Sequence, residues 1–178
     1  MTMIALRYDL RIPPFAGHTH TDAYAACLEQ CAWADALGFE TVYLAEHHGA
    51  DDGYCPAPLI QAAAMMAVTR RLHVHFSALL APLHDPLRLA EDLAILDLIS
   101  RGRVEVTLGL GYRPHEYRMF GVDRRRRVAI FEETVRVLRA AWTGEPFEHR
   151  GETVRILPRP HRHGGPPLYV GGSAEPSA

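Results

Sequence analysis

SRGRVEVTLGLGYRPHEYRMFGVD, running from Ser100 to Asp123, is the stretch whose reading decides the fold. Val104, Val106 and Leu108 alternate with Glu105 and Thr107 in the period-2 pattern of a β-strand. The chain then meets Gly109 and Gly111 where that strand should stop, and glycine at a strand end marks a sharp bend or a close approach by another group. Tyr112-Arg113-Pro114 and Glu116-Tyr117 cannot continue the strand. They are expected beyond its C-terminal end, where parallel α/β proteins gather their chemistry. A plain turn with aromatic cover over a core edge is the competing account of the same residues.

Working outward, strands and helices alternate. Ile4–Ile12 reads as a strand stopped by Pro13-Pro14, and Thr21 or Asp22 as the cap of a helix that ends at Gly38. Thr41–Ala45 reads as a short strand buried on both faces that runs into Glu46-His47-His48-Gly49. Pro58 opens a helix to Arg70, Leu72–Leu80 is a third strand, and Pro86–Ser100 a third helix with Leu89, Leu93, Leu96 and Ile99 on one stripe. After the 100–123 stretch, a fourth helix is expected over Arg126–Thr143, where Leu138 and Trp142 read as core. A hairpin over Phe147–His149 and Thr153–Ile156 follows, and a fifth strand over Leu168–Val170 ends in Gly171-Gly172-Ser173.

Connections this long between strands demand a parallel sheet with right-handed crossovers. An open doubly wound sheet and part of a (β/α)8 barrel both satisfy that. Each strand delivers a polar or glycine cluster at its C-terminal end, and convergence from so many strands suits a TIM-barrel mouth better than a single crevice. Only about five βα units are present, so residues 1–178 are expected to be one barrel domain lacking its C-terminal strands, with unpaired edges that promote association into a homo-oligomer.

Composition narrows the function classes. A net charge of -2 with 22% charged and 48% hydrophobic residues shows no bias toward nucleic acid or membrane. The basic run Arg124–Arg127 opens a helix and reads as a solvated face or a local phosphate contact rather than a nucleic-acid site. Cys27, Cys31 and Cys55 read as reduced packing residues of a cytoplasmic protein, and no apolar run is long enough to span a membrane.

Four motifs, LAEHHG at 44–49, APLHDPLRLAEDLAILDLISRGR at 81–103, LGLGYRPHEYRMFGVD at 108–123 and FEETVRVLRAAWTGEP at 131–146, stand in the order in which they occur in the bacterial luciferase-like family. The chain resembles that family of flavin- or deazaflavin-dependent oxidoreductases along nearly its whole length. The resemblance implies a (β/α)8 barrel with FMN, or the 8-hydroxy-5-deazaflavin coenzyme, at its C-terminal mouth. It implies that His47, preceded by Glu46, is the active-site histidine, with Glu46 as a candidate orienter of its imidazole. It implies that Ser77–Ala78 forms a non-prolyl cis peptide and bulge against which the flavin leans. Gly109, Leu110 and Gly111 are placed beneath the flavin, and Gly172 and Ser173 near its ribityl-phosphate arm, while Tyr112, Arg113 and Tyr117 on the loop over the mouth could cover flavin or substrate. Gly109 and Leu110 depart from luciferase's reactive cysteine and phosphate-binding arginine, so light emission is not implied. Arg127 and Glu133 fall where the family's fourth helix has structural pairing.

The implied activity is that of a monooxygenase using reduced flavin and oxygen on a small organic substrate, with a separate flavin reductase as partner. A deazaflavin-dependent dehydrogenase on the same fold is the alternative. Two other classes compete: a non-catalytic barrel fragment, and a metal-dependent hydrolase suggested by His18-Thr19-His20 and His47-His48. No metal site is expected, because His18 follows Pro13-Pro14 and several loop residues, a poor position for rigid coordination.

Overall fold

A computed structural model describes residues 4–172, so Ser173 lies outside the described residues. In chain order the elements are β1 Ala5–Tyr8, α1 His20–Leu37, β2 Thr41–Leu44, α2 Pro58–Val68, β3 His73–Leu80, α3 Pro86–Ser100, β4 Val104–Gly109, α4 Pro114–Met119, α5 Arg127–Ala141, β5 Phe147–His149, β6 Glu152–Val154 and β7 Leu168–Gly171. The parallel sheet runs β1-β2-β3-β4-β7, and β5-β6 form a separate antiparallel hairpin. Strand order follows chain order without reversal. A doubly wound sheet needs such a reversal, so the fold is an arc of a (β/α)8 barrel, incomplete at five strands.

The two faces of the arc differ. On the helix side, Val42, Leu44, Val74, Phe76, Val104, Val106 and Leu108 are fully buried against Cys27 and Cys31 of α1, Ala62 and Met65 of α2, and Leu89 and Leu93 of α3. Burial of each large aliphatic side chain contributes about 1.5–3 kcal/mol, which makes this layer the core. On the other face Thr41, Tyr43, His75, Ser77, Glu105 and Thr107 are half-buried. Thr41–Ala45 is therefore not buried on both faces, because among the described residues nothing covers the concave side of β2.

Local sequence sets the element ends. Thr19, not Thr21 or Asp22, caps α1: its hydroxyl accepts from the Asp22 N–H while the Asp22 carboxylate accepts from the Thr19 N–H. Leu10 takes a left-handed conformation (φ 58°), which stops β1 well before Pro13. Asp85 accepts from the backbone of Leu87 and Arg88 and so caps α3, with Pro86 at its first position. The segment after Gly111 was expected as loop, yet Pro114 opens the short helix α4. The fourth long helix, α5, starts at Arg127 after a 3-10 turn over Arg124–Arg126 and stops at Ala141. Leu138 and Trp142 are buried, and the Trp142 indole donates to the Ala90 carbonyl.

At the N-terminal ends of the strands, buried Asp35 and half-buried Arg103 are held mainly by backbone. Asp35 accepts from the N–H groups of Arg70, Arg71 and Leu72, the last at 2.6 Å. The Arg103 guanidinium donates to the carbonyls of Met66, Thr69, Leu72 and Ser100 and to the Thr69 hydroxyl. Helices α2 and α3 are thereby tied to the starts of β3 and β4.

Candidate functional site

The site lies at the opposite end, where β2, β3, β4 and β7 deliver their last residues. Past Leu44, Glu46 to His48 send their side chains to different partners. The His47 Nδ1–H donates to Glu116 Oε1 at 2.9 Å, and the His48 backbone N–H donates to the same oxygen at 3.0 Å. Glu116 is fully buried on α4, and its Oε2 is buried without a partner among the described residues. Because a carboxylate can only accept, the proton of neutral His47 is fixed on Nδ1 and its Nε2 is left as the basic nitrogen. The ring is 14% exposed and meets Tyr54 and Tyr112 edge-on, at 4.6 and 5.7 Å between centroids.

Glu46 makes no hydrogen bond to His47. The expectation that it orients that imidazole is corrected: alternation at the strand end turns it away, and Glu116, 69 residues along the chain, takes the position. Glu46 instead accepts from His48 Nε2 at 2.9 Å, from His84 Nε2 at 2.8 Å and from the Leu80 N–H at 2.6 Å. Burial alone would raise its pKa, but these donors and the charge of His84 overcome it and hold the carboxyl at about 2. For His84 the balance is mirrored: burial lowers its pKa, and the bond to Glu46 and that carboxylate's charge raise it overall. His48 is buried, with its ring against Phe120 at 4.5 Å.

The floor beside His47 is built from small residues. Ser77 pairs with Thr107 and Leu79 with Leu108, so Ala78 is the extra residue of a β-bulge, and the Ser77–Ala78 peptide is cis. A Cβ on Gly109 would stand 3.1 Å from that of Ala78, and one on Gly171 would stand 2.9 Å from the Thr107 methyl. Side chains at 109 and 171 would crowd Ala78 and Thr107, whereas glycine leaves flat backbone. The floor suits a planar ring, and in this respect the residues present fit a flavin. Leu110 holds the Tyr117 hydroxyl on its carbonyl, Gly111 turns the chain with φ +73°, and Tyr112 stands 65% exposed beside His47 with Arg113 over its ring. Gly172, the last described residue, follows the end of β7, on the Gly109 side of the floor.

The structure thus brings His47, Ser77, Ala78, Gly109 and Tyr112 to one end of the sheet. Sequence reasoning placed Glu116 beyond the end of β4, among the residues expected at the mouth, but missed that it is the partner of His47, since α4 is too short to show a helical period. His84 was missed as well, although it stands in a quoted motif. Thr19 of the His18-Thr19-His20 run is a helix cap, and His20 reaches the Asp52 carbonyl. Among the described residues no group of three or more His, Cys, Asp or Glu is arranged to hold a metal ion, and no helix is long and apolar enough to cross a membrane. Glu133 pairs with Arg136 and His149, and Arg127 donates to the Arg124 carbonyl.

Comparison with known proteins gives a consistent picture. The family model described as luciferase-like monooxygenase matches residues 10–178. The alkanal monooxygenase alpha chain of Photorhabdus luminescens is 31% identical over 142 residues, 77% of this chain and 39% of that protein. The oxygenase component of the flavin-dependent trigonelline monooxygenase of Acinetobacter baylyi is 26% identical over 159 residues, 85% of this chain and 44% of that protein. The solved monooxygenase RslO1 of Streptomyces bottropensis superposes with a TM-score of 0.85 at 30% identity, over 95% of this chain and 53% of that structure. The chain spans less than half the length of these two curated relatives.

Proposed function

The chain belongs to the luciferase-like monooxygenase family, and from that premise we propose that it serves a flavin-dependent monooxygenase acting on a small organic substrate with reduced FMN and oxygen. One observation carries the reading: an imidazole whose Nδ1 is held by a fully buried carboxylate directly follows Glu46, whose backbone N–H bonds to the Ala78 carbonyl of the floor of small residues at the strand ends. When bound, the flavin supplies the electrons that reduce oxygen. The protein's own residues do the rest. Ala78, Gly109 and Gly171 provide the flat surface against which a ring can lie. Tyr54 and Tyr112 cover His47 and restrict water around it. His47 takes up or returns a proton at Nε2, and Glu116 keeps that nitrogen basic and the ring in place. Tyr112, Arg113 and Leu110 are the nearest candidates for contact with substrate or the cofactor's edge.

The relatives named above include a flavin-dependent enzyme, which favours a flavin over the deazaflavin coenzyme. The partners proposed with this reading are a separate flavin reductase, a small-molecule substrate and a second copy of the chain, in the cytoplasm. The test is purification of the protein followed by the visible spectrum and mass of its bound cofactor, then FMN titration. FMN bound one to one, with oxygen-dependent turnover abolished in His47→Ala, is the expected result. A copurified deazaflavin would move the assignment to the dehydrogenase alternative, and a chain that holds neither would overturn it.

A further inference from the structure

Glu46 stands next to His47 yet makes no hydrogen bond to it. Its bonds go to the neighbouring strand. The β2–β3 ladder ends at the Leu44–Phe76 pair, just before the bulge of β3. Beyond that pair Glu46 continues the ladder. Its backbone N–H donates to the Ala78 carbonyl at 3.3 Å, and its Oε2 accepts from the Leu80 N–H at 2.6 Å. One residue therefore holds two backbone groups of β3 past the last pair of the ladder, the Ala78 carbonyl and the Leu80 N–H. His84, just past the 3-10 turn Ala81–Leu83 that follows β3, donates Nε2 to both carboxylate oxygens at 2.8 and 3.0 Å. His48 completes the set from the β2 side. The Glu46 side chain is 1% exposed, so no water competes for these bonds.

We propose that Glu46 and His84 are positioning residues that clamp the Ser77–Ala78 bulge as the platform for the cofactor ring, an inference that rests on the flavin reading above. The clamp is ionic as well as geometric: burial alone would neutralise both partners, whereas the observed bonds hold Glu46 as a carboxylate and favour His84 as an imidazolium. Away from Glu46, His84 faces a cavity of about 500 Å³ lined also by Pro82, Pro86, Val122 and Ile130. Replacements at 84 therefore have room without disturbing the core.

The experiment uses the full chain and two readouts, FMN affinity by fluorescence titration and amide hydrogen exchange at Leu80, which needs no cofactor. Glu46→Gln and His84→Leu are expected to weaken FMN binding by about tenfold or more and to speed exchange at Leu80, since each leaves buried hydrogen-bonding groups unmatched. His84→Gln, whose side-chain amide can donate from the place of Nε2, is expected to stay within about threefold of wild type. Arg136→Ala, an exposed pair on α5, serves as control. Should Glu46→Gln fail to fold, the contrast of His84→Leu with His84→Gln decides alone. Wild-type protein that binds FMN while His84→Leu binds it equally well overturns the clamp. Wild-type protein that does not bind FMN overturns the flavin reading, and the platform role with it.

Discussion

The two ends of the sheet bury charge in different ways. At the N-terminal ends, Asp35 and Arg103 are matched to backbone N–H and carbonyl groups, partners that never titrate. At the C-terminal ends, Glu46 and Glu116 are matched largely to histidines, and one oxygen of Glu116 has no partner among the described residues. The first arrangement can only hold the arc together. The second holds it together through side chains that can also give and take protons, which is the division of labour expected between the stabilising and reacting ends of a barrel.

The sharpest way to break this contrast is at the silent end. Arg103→Leu leaves several buried carbonyls without a donor and is expected to cost about 3 kcal/mol in urea denaturation, while FMN affinity of the folded protein stays unchanged. A loss of FMN binding out of proportion to stability would mean that the two ends are not separable.

The next effect is that of pH. The Glu46 pKa is depressed to about 2, so its contribution is present above the ordinary 4.5 and is lost as pH falls toward that depressed value. The His84 pKa is raised above 6.5 by Glu46, with Asp92 adding to it, so its contribution is present below 6.5 and is lost as pH rises through the raised value. Asp35 is also depressed, by its backbone donors working against burial, and it shares the acid loss. Only the C-terminal end therefore weakens on the alkaline side. Stability measured from about pH 6 to 9 should decline in wild type, and the decline should flatten in His84→Leu; parallel curves would contradict the assignment.

Smaller effects sharpen the comparison within the site. Glu116→Ala removes the acceptor of the His48 N–H and of His47 Nδ1 and is expected to cost about 2 kcal/mol, with turnover falling further than stability accounts for. Gly109→Ala, crowding Ala78, should cost only about 1 kcal/mol yet abolish FMN binding; retained binding would remove the floor from the account.

Much of this was legible in the sequence. Period-2 alternation located β4, the prolines at 58 and 86 located the starts of α2 and α3, and Gly38 located the end of α1. The resemblance pointed to His47 and to the Ser77–Ala78 bulge. What stayed hidden was who bonds to whom. Adjacent residues 46 and 47 are served by partners 38 and 69 residues away, and no local pattern encodes a contact between separate βα units. The half-open concave face was hidden for a similar reason: Thr41–Ala45 has the composition of a doubly covered strand, and composition does not say what covers it.

A structure of the protein with FMN bound tests the central claim most directly. The account predicts the ring lying on Ala78, Gly109 and Gly171 with His47 Nε2 at its edge and Glu116 still on Nδ1. A ring seated elsewhere, or a His47 turned away from it with Glu116 released, would contradict it.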